Sequence, residues 1–286
     1  MIKRKSKRKF RRGVPRFKGL NISKLIPNMI TVGATCAGLT GVRFALDEKW
    51  EFAVVAIIVA AVLDALDGRM ARLLNSASDF GAELDSLSDF VSFGVSPALI
   101  LYFWSLSALG GIGWVICLFL AICCGLRLAR FNTNIGKLPP YAFNYFTGVP
   151  APAGAGLALM PMMATFAFGM DILREPVFVA VWSVIAALLM VSTLPTFSFK
   201  KVKIPTAAIL PILVVVGLLV AGLAGAPWRT LTLVGLVYIV SFGYSAYTYR
   251  RLTAEAERMH GDRGTDDPGE APPDEALDKP RLRPVE

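Results

Sequence analysis

Four aspartates, Asp64, Asp67, Asp85 and Asp89, stand in two pairs inside the stretch DALDGRMARLLNSASDFGAELDSLSD. The members of the pairs are three and four residues apart, so on helices each pair shares one face. The flanking segments, FAVVAIIVAAVL before and FVSFGVSPALILYFW after, are greasy enough to enter a bilayer. An aspartate at the centre of a spanning helix costs roughly 2.5–3.5 kcal/mol on insertion scales, and four mutually repelling carboxylates add to that. Something must neutralise them, and these two helices supply only Arg69 and Arg72 as nearby cations. A set of carboxylate ligands implies hard divalent cations, Mg²⁺ or Mn²⁺, rather than zinc. Two such ions bridged by shared carboxylates match a phosphate-transfer site.

The residues between the pairs fit phosphate chemistry. Gly68 follows Asp67 and removes a side chain where a substrate would approach the backbone. Ala71 keeps the same surface shallow. Arg72 shares the face of Gly68 and carries a planar fork suited to phosphate. Gly81 opens the facing helix in the same way, and Ser78 on the connection can donate to a phosphate oxygen. Glu83, near a helix start, reads as an acid favoured by the helix dipole rather than as a ligand.

These groups must be held by membrane helices. The chain has 286 residues, 55% hydrophobic and 18% charged, with mean hydropathy +0.56. That is too apolar for an ordinary soluble domain. The segments are also too long and continuous for barrel strands, so the fold class is all-α integral membrane. About eight transmembrane helices are expected, near 25–46, 51–72, 83–104, 112–131, 149–169, 174–194, 206–224 and 229–249. With the N-terminus inside, Arg69, Arg72, Arg127, Arg130, Lys137, Lys200, Lys201, Lys203, Arg250 and Arg251 fall on one side. This satisfies the positive-inside rule at every turn. A hairpin of the second and third helices then gathers all four aspartates near the cytoplasmic surface. A cation transporter, the alternative from another class, would spread its carboxylates across the membrane depth.

The net charge of +9 is uneven: residues 1–18 carry ten Lys/Arg and no acid. Such a run suits anionic lipid at the membrane surface, and nucleic acid is not the expected partner. No small-residue cleavage site follows it, so the first apolar stretch reads as a retained helix. Cys36, Cys117, Cys123 and Cys124 lie in apolar segments without Cys-x-x-Cys spacing, and read as small buried residues. The single histidine, His260, lies in the polar tail, which leaves no histidine-based metal site or triad. Three parts are expected: a basic cytoplasmic tail at 1–19, a membrane catalytic domain at 20–252, and a disordered polar tail at 253–286. Pro27 falls in the first turn of the first helix, where its missing donor is harmless. The long irregular stretch RFNTNIGKLPPYAFNYFTGVPAPAG reads as a lid or substrate rim.

The pattern Asp64-x-x-Asp67-Gly68-x-x-Ala71-Arg72, followed by Gly81-x-x-x-Asp85-x-x-x-Asp89, resembles the signature of the CDP-alcohol phosphotransferase family. The resemblance implies a membrane enzyme that moves a phosphoalcohol from a CDP-alcohol to an acceptor alcohol and releases CMP. It implies a core of six helices, here followed by two more, and a pair of divalent ions. Asp64 and Asp85 would bridge both ions, Asp67 would hold the first, and Asp89 would hold the second and serve as general base. Gly68, Arg72 and Ser78 would contact the CDP group, Ala71 and Gly81 would leave room for it, and Asn28 and Thr31 would line the nucleotide side.

PNMIT, GLRLARFN, FTGVPAPAG and LLMVSTLPTFSFK look like the membrane-bound phosphatidylserine synthase branch of that family. This narrower likeness implies CDP-diacylglycerol as donor and L-serine as acceptor, in the cell (inner) membrane with a cytoplasmic site. Serine brings a carboxylate, which Arg127 or Arg130 could bind from one helix end. Arg130 is the stronger expectation, with Asn132 as helper. Enzymes of the same family that make phosphatidylglycerophosphate or an inositol lipid are the nearest alternative. The family often forms dimers, and a small-residue face such as GAGLALM suits close helix packing, so a homodimer is expected.

Overall fold

Long apolar stretches must satisfy their backbone internally in lipid, and here they wind into helices. The computed structural model describes residues 22–74, 76, 78–134, 145–192, 195–197 and 209–241. Helix α1 (Ile22–Leu46) and helix α2 (Trp50–Leu73) form a hairpin. Helix α3 (Asp79–Trp104) follows, then α4 (Gly111–Asn134). The bent pair α5 (Ala151–Ala158) and α6 (Met160–Phe168) leads to α7 (Pro176–Val191). Helix α8 (Ile209–Gly225) and a last helix α9 over 227–241 complete the described chain. Two three-residue strands, β1 (Tyr145–Thr147) and β2 (Pro195–Phe197), pair antiparallel with Phe146 opposite Thr196.

Among the described residues three helices are long and apolar enough to cross a membrane, and a fourth span results if α5 and α6 count together. The protein is therefore an integral membrane protein, while the expected eight spans correspond to helices that do not all meet that measure. The reasons are local. Helix α2 carries Glu51, Asp64, Asp67, Arg69 and Arg72, and α7 and α8 have 16 and 17 residues. Outward-facing Val55, Val59, Val62, Leu118 and Ile122 are apolar and exposed, and α8 is apolar with no buried residue, as hydrocarbon contact requires. The basic run at 1–18, Lys137, Lys200, Lys201, Lys203, Arg250, Arg251, His260 and the tail after 253 lie outside the described residues.

Close helix approach depends on small residues and on hydroxyls that bond across helices. A Cβ at Gly41 would meet the Ala53 carbonyl oxygen of α2 at 3.1 Å, and one at Gly38 would meet Ser92 of α3 at 2.9 Å. Ser88 Oγ donates to the Thr31 carbonyl at 3.1 Å, Thr35 Oγ1 to Ser88 Oγ at 2.8 Å, and Ser92 Oγ to the Ala34 carbonyl at 3.2 Å. This polar seam fixes the register of α3 on α1. The main core, with Phe93, Ile100, Leu101, Leu120, Leu159, Met162 and Met190, draws on α3, α4, the bent pair α5 and α6, and α7.

Two details differ from expectation. Helix α1 starts at Ile22, so Pro27 lies inside it and cannot donate the usual bond four residues back. The GAGLALM segment packs within the chain: Gly154 abuts Met190, and Ala155, Leu157 and Ala158 are buried. The 45° bend between α5 and α6 has an identifiable cause. Pro161 cannot donate to the Leu157 carbonyl, and the Trp182 indole donates to that oxygen instead, at 2.7 Å.

Candidate active site

Asp64 and Asp67 sit on the last turns of α2, and Asp85 and Asp89 on the first turns of α3. The connection is short, so the helix pairs fold back and face each other. Ligand oxygens of Asp64, Asp67 and Asp85 lie within 4.8 Å of one another. Asp89 approaches the Asp64 side chain within hydrogen-bonding reach. Three converging hard oxygens, with a fourth carboxylate beside them, fit a divalent cation site.

One flank of the cluster opens into a cleft of about 160 Å³. Asn28 and Thr31 of α1, Asp67, Gly68 and Ala71 of α2, and Ser78, Gly81 and Asp85 of α3 all line it. The structure thus brings together residues that the sequence alone grouped by spacing. Pro27, Ser76 and Ala82 line it as well. They escaped the sequence reading because apolar residues and a lone serine carry no chemical pattern of their own.

Each candidate has a local reason for its place. Ser78 is the N-cap of α3, and its Oγ accepts from the Gly81 N–H at 3.1 Å. With the helix starting at Asp79, the first-turn acid is Asp79, and Glu83 lies a turn further on. A Cβ at Gly81 would meet both Asn28 Oδ1 and Ser78 Oγ at 3.1 Å, so this glycine allows α1 to approach the cap. Gly68 differs: a Cβ there would meet nothing within 4 Å, and the space above it is open. Arg72 is exposed, with Nε donating to the Gly68 carbonyl at 3.0 Å. Thr31, buried at the cleft wall, donates to Asp67 Oδ2 at 2.6 Å.

The other flank is formed by α4. Directly after Asp89 the helix loosens into a π-helical stretch, Phe90–Val95. Such stretches insert a residue and rotate the remainder of the helix. Phe90 and Gly94 pack tightly on Gly125 and Cys124, where added Cβ atoms would find neighbours at 3.1 Å. This contact sets α4 level with Asp89 and brings the Arg127 guanidinium into electrostatic reach of Asp64 and Asp89. Arg130 has different partners. Its Nη1 donates to the Val191 carbonyl at 2.7 Å and its Nη2 to the Ser192 carbonyl at 2.9 Å, at the end of α7. Gly148, at φ +82°, fits against the Ser192 carbonyl as well. Asn132 Nδ2 donates to Ser86 Oγ at 2.9 Å, tying the end of α4 to α3.

Comparison with known proteins assigns a family. Residues 24–191 match the CDP-alcohol phosphatidyltransferase family, and residues 207–242 match CDP-alcohol phosphatidyltransferase 2. The chain is 37% identical over 248 residues to the CDP-diacylglycerol–serine O-phosphatidyltransferase of Mycobacterium tuberculosis, covering 86% of each. It is 35% identical to the protein of that name from Mycobacterium leprae, covering 82% of this chain and 78% of the relative. The Bacillus subtilis protein of that name is 38% identical over 176 residues, 62% of this chain and 92% of the relative.

Proposed function

We propose, for a chain that belongs to the CDP-alcohol phosphatidyltransferase family, that it transfers the phosphatidyl group of CDP-diacylglycerol to L-serine. The products are phosphatidylserine and CMP. The observation that carries this reading is the carboxylate cluster at the wall of a cleft lined by Gly68 and Ser78. The mycobacterial and Bacillus relatives support serine as the acceptor through the name they share.

Asp64, Asp67, Asp85 and Asp89 would hold a pair of Mg²⁺ or Mn²⁺ ions, which supply charge neutralisation for the pyrophosphate. Open space above Gly68 lets a phosphate approach the backbone of α2. Ser78 and Arg72 bind the CDP group, Ala71 and Gly81 leave room for it, and Asn28 and Thr31 border the nucleotide. Asp89, on the flank away from the cleft, accepts the proton of the serine hydroxyl. The serine oxygen bonds to the phosphorus that carries diacylglycerol, and the bond from that phosphorus to the bridging oxygen breaks. CMP leaves with the electron pair, and the proton passes from Asp89 to water.

The described helices correspond to eight spans in this reading, a six-helix core and two more, with the site and both termini cytoplasmic in the cell membrane. The positive-inside pattern supports that orientation. The donor's acyl chains then lie in hydrocarbon while its headgroup meets the aspartates. The active unit is a homodimer, as is common in the family. Purified protein in detergent, given CDP-diacylglycerol and one acceptor at a time, tests the reaction. Serine should release CMP far faster than glycerol 3-phosphate, inositol or inositol phosphate. Faster turnover with any of those would replace serine, and ion flux without CMP release would replace the enzyme reading with a cation transporter.

A further inference from the structure

We propose that Ser88 is a positioning residue for the carboxylate cluster. Through Thr31 of α1 it sets the depth of Asp85 and Asp89 on α3 against that of Asp67 on α2. This inference rests on the metal-binding role that the proposed function gives the aspartates, and deepens it by naming what fixes them relative to one another. Asp67 and Asp85 come from different helices, yet their ligand oxygens lie within 4.8 Å. Carboxylates at that separation repel each other, so their placement needs support from elsewhere. Helix α1 packs on both α2 and α3, and Thr31 bonds to both. Its hydroxyl donates to Asp67 Oδ2 at 2.6 Å, and its carbonyl accepts from Ser88 Oγ at 3.1 Å.

The Ser88 proton has one place to go. Thr35 Oγ1 donates to Ser88 Oγ at 2.8 Å, which leaves the serine proton for the Thr31 carbonyl. Ser88 is 5% exposed, so water does not compete for it. It stands three residues after Asp85 and one before Asp89. A slide or turn of α3 that breaks the bond therefore moves both carboxylates, and an ion that demands near-ideal geometry tolerates little of that. Ser92, one turn further along, is the internal comparison. It is as deeply buried, and its Oγ donates to the Ala34 carbonyl of α1 at 3.2 Å. Ala34, unlike Thr31, has no side-chain group to hold a carboxylate.

The test reads Mn²⁺ binding to the purified full chain in detergent by electron paramagnetic resonance, without lipid or acceptor, beside thermal unfolding. Ser88→Ala should raise the Mn²⁺ Kd by roughly 10-fold, the low end for partners that orient metal-binding groups. Ser92→Ala should lower the melting temperature by a similar amount and leave the Mn²⁺ Kd unchanged. Thr31→Val combined with Ser88→Ala should weaken binding by less than the product of the two single effects, because both act on one contact. Ser88→Cys, close in size but a weak donor, should fall between wild type and Ser88→Ala, and serves if the alanine variant does not fold. An unchanged Kd in Ser88→Ala, an equal loss in Ser92→Ala, or independent effects of Ser88 and Thr31 would overturn the assignment and leave the proposed reaction standing. A wild type that binds no Mn²⁺ would overturn both. Binding as expected with turnover of another alcohol would overturn serine as acceptor and leave Ser88 its role.

Discussion

Thr31 Oγ1 lies 2.6 Å from Asp67 Oδ2 and donates its one proton to that carboxylate from the neighbouring helix. The Pro27 carbonyl, at 3.0 Å, is the longer alternative. Thr31 is thus placed to orient Asp67, one of the carboxylates proposed to hold the ions, although it also borders the cleft. Partners of this kind typically change metal affinity or activity 10- to 100-fold when removed. Thr31→Val should raise the Mg²⁺ concentration needed for half-maximal activity by roughly 10-fold, and Thr31→Ser should restore most of it. A metal titration of the three proteins reads this directly.

Asp89 approaches Asp64 but is not one of the mutually close trio Asp64, Asp67 and Asp85, and it is not among the residues that line the cleft beside Gly68 and Ser78. Asp89→Asn should still bind CDP-diacylglycerol but lose turnover by roughly 10²- to 10⁴-fold, the range of general-base catalysis. Donor binding by calorimetry beside CMP release distinguishes this from a folding defect.

Removal of divalent ions should abolish activity and leave the helical content intact, because the helices pack through the α1–α3 seam and the apolar core. Mg²⁺ or Mn²⁺ should restore it in wild type. In Asp85→Asn, which removes the α3 member of the carboxylate trio, restoration should need roughly 10-fold more metal. Chelation followed by re-addition, monitored by activity and circular dichroism, checks both parts.

The two glycines of the site should respond differently. A methyl at Gly68 meets no protein atom within 4 Å. Gly68→Ala should therefore keep the melting temperature and weaken donor binding, since substrate is the group left to collide with it. A methyl at Gly81 presses on Asn28 and on the Ser78 cap at 3.1 Å. Gly81→Ala should lower both stability and donor binding, the former by about 1–3 kcal/mol as an overpacked contact. Thermal unfolding and donor titration of both variants separate the cases.

Arg130 and Gly148 make a joint between α4 and the end of α7. Gly148→Ala would strain a left-handed φ of +82° and press a methyl on the Ser192 and Met190 carbonyls. Arg130→Ala would leave two carbonyls without their donor. Each should cost about 1–3 kcal/mol of stability. Thermal unfolding of the two variants beside wild type measures both losses.

Much of the site was legible because helical periodicity is a local property. Spacings of three and four residues put Asp64 with Asp67, and Asp85 with Asp89, on common faces. A short connection then obliges the two faces to meet. Charge and hydropathy likewise established a helical membrane protein, since an apolar backbone in lipid has few other ways to bond. Ser78 was legible as a polar group on the connection, but its capping role needed the start of α3 to be known.

What the tertiary structure alone decided lies between helices. Arg127 and Arg130 share a residue type, a helix and a turn, and their spacing cannot tell them apart. The carbonyls at the end of α7 take Arg130, and the π-helical stretch after Asp89 packs on Cys124 and Gly125, just before Arg127 on α4. From sequence, Thr31 enters the site only through the family resemblance, as a residue lining the nucleotide side, and only the packing of α1 on α2 joins it to Asp67. The cause is the same in each instance. The helix repeat assigns a residue to a face from sequence alone, whereas its partner depends on the depth and rotation of a neighbouring helix. Those are set by packed glycines, buried hydroxyls and freed carbonyls distributed along the whole chain.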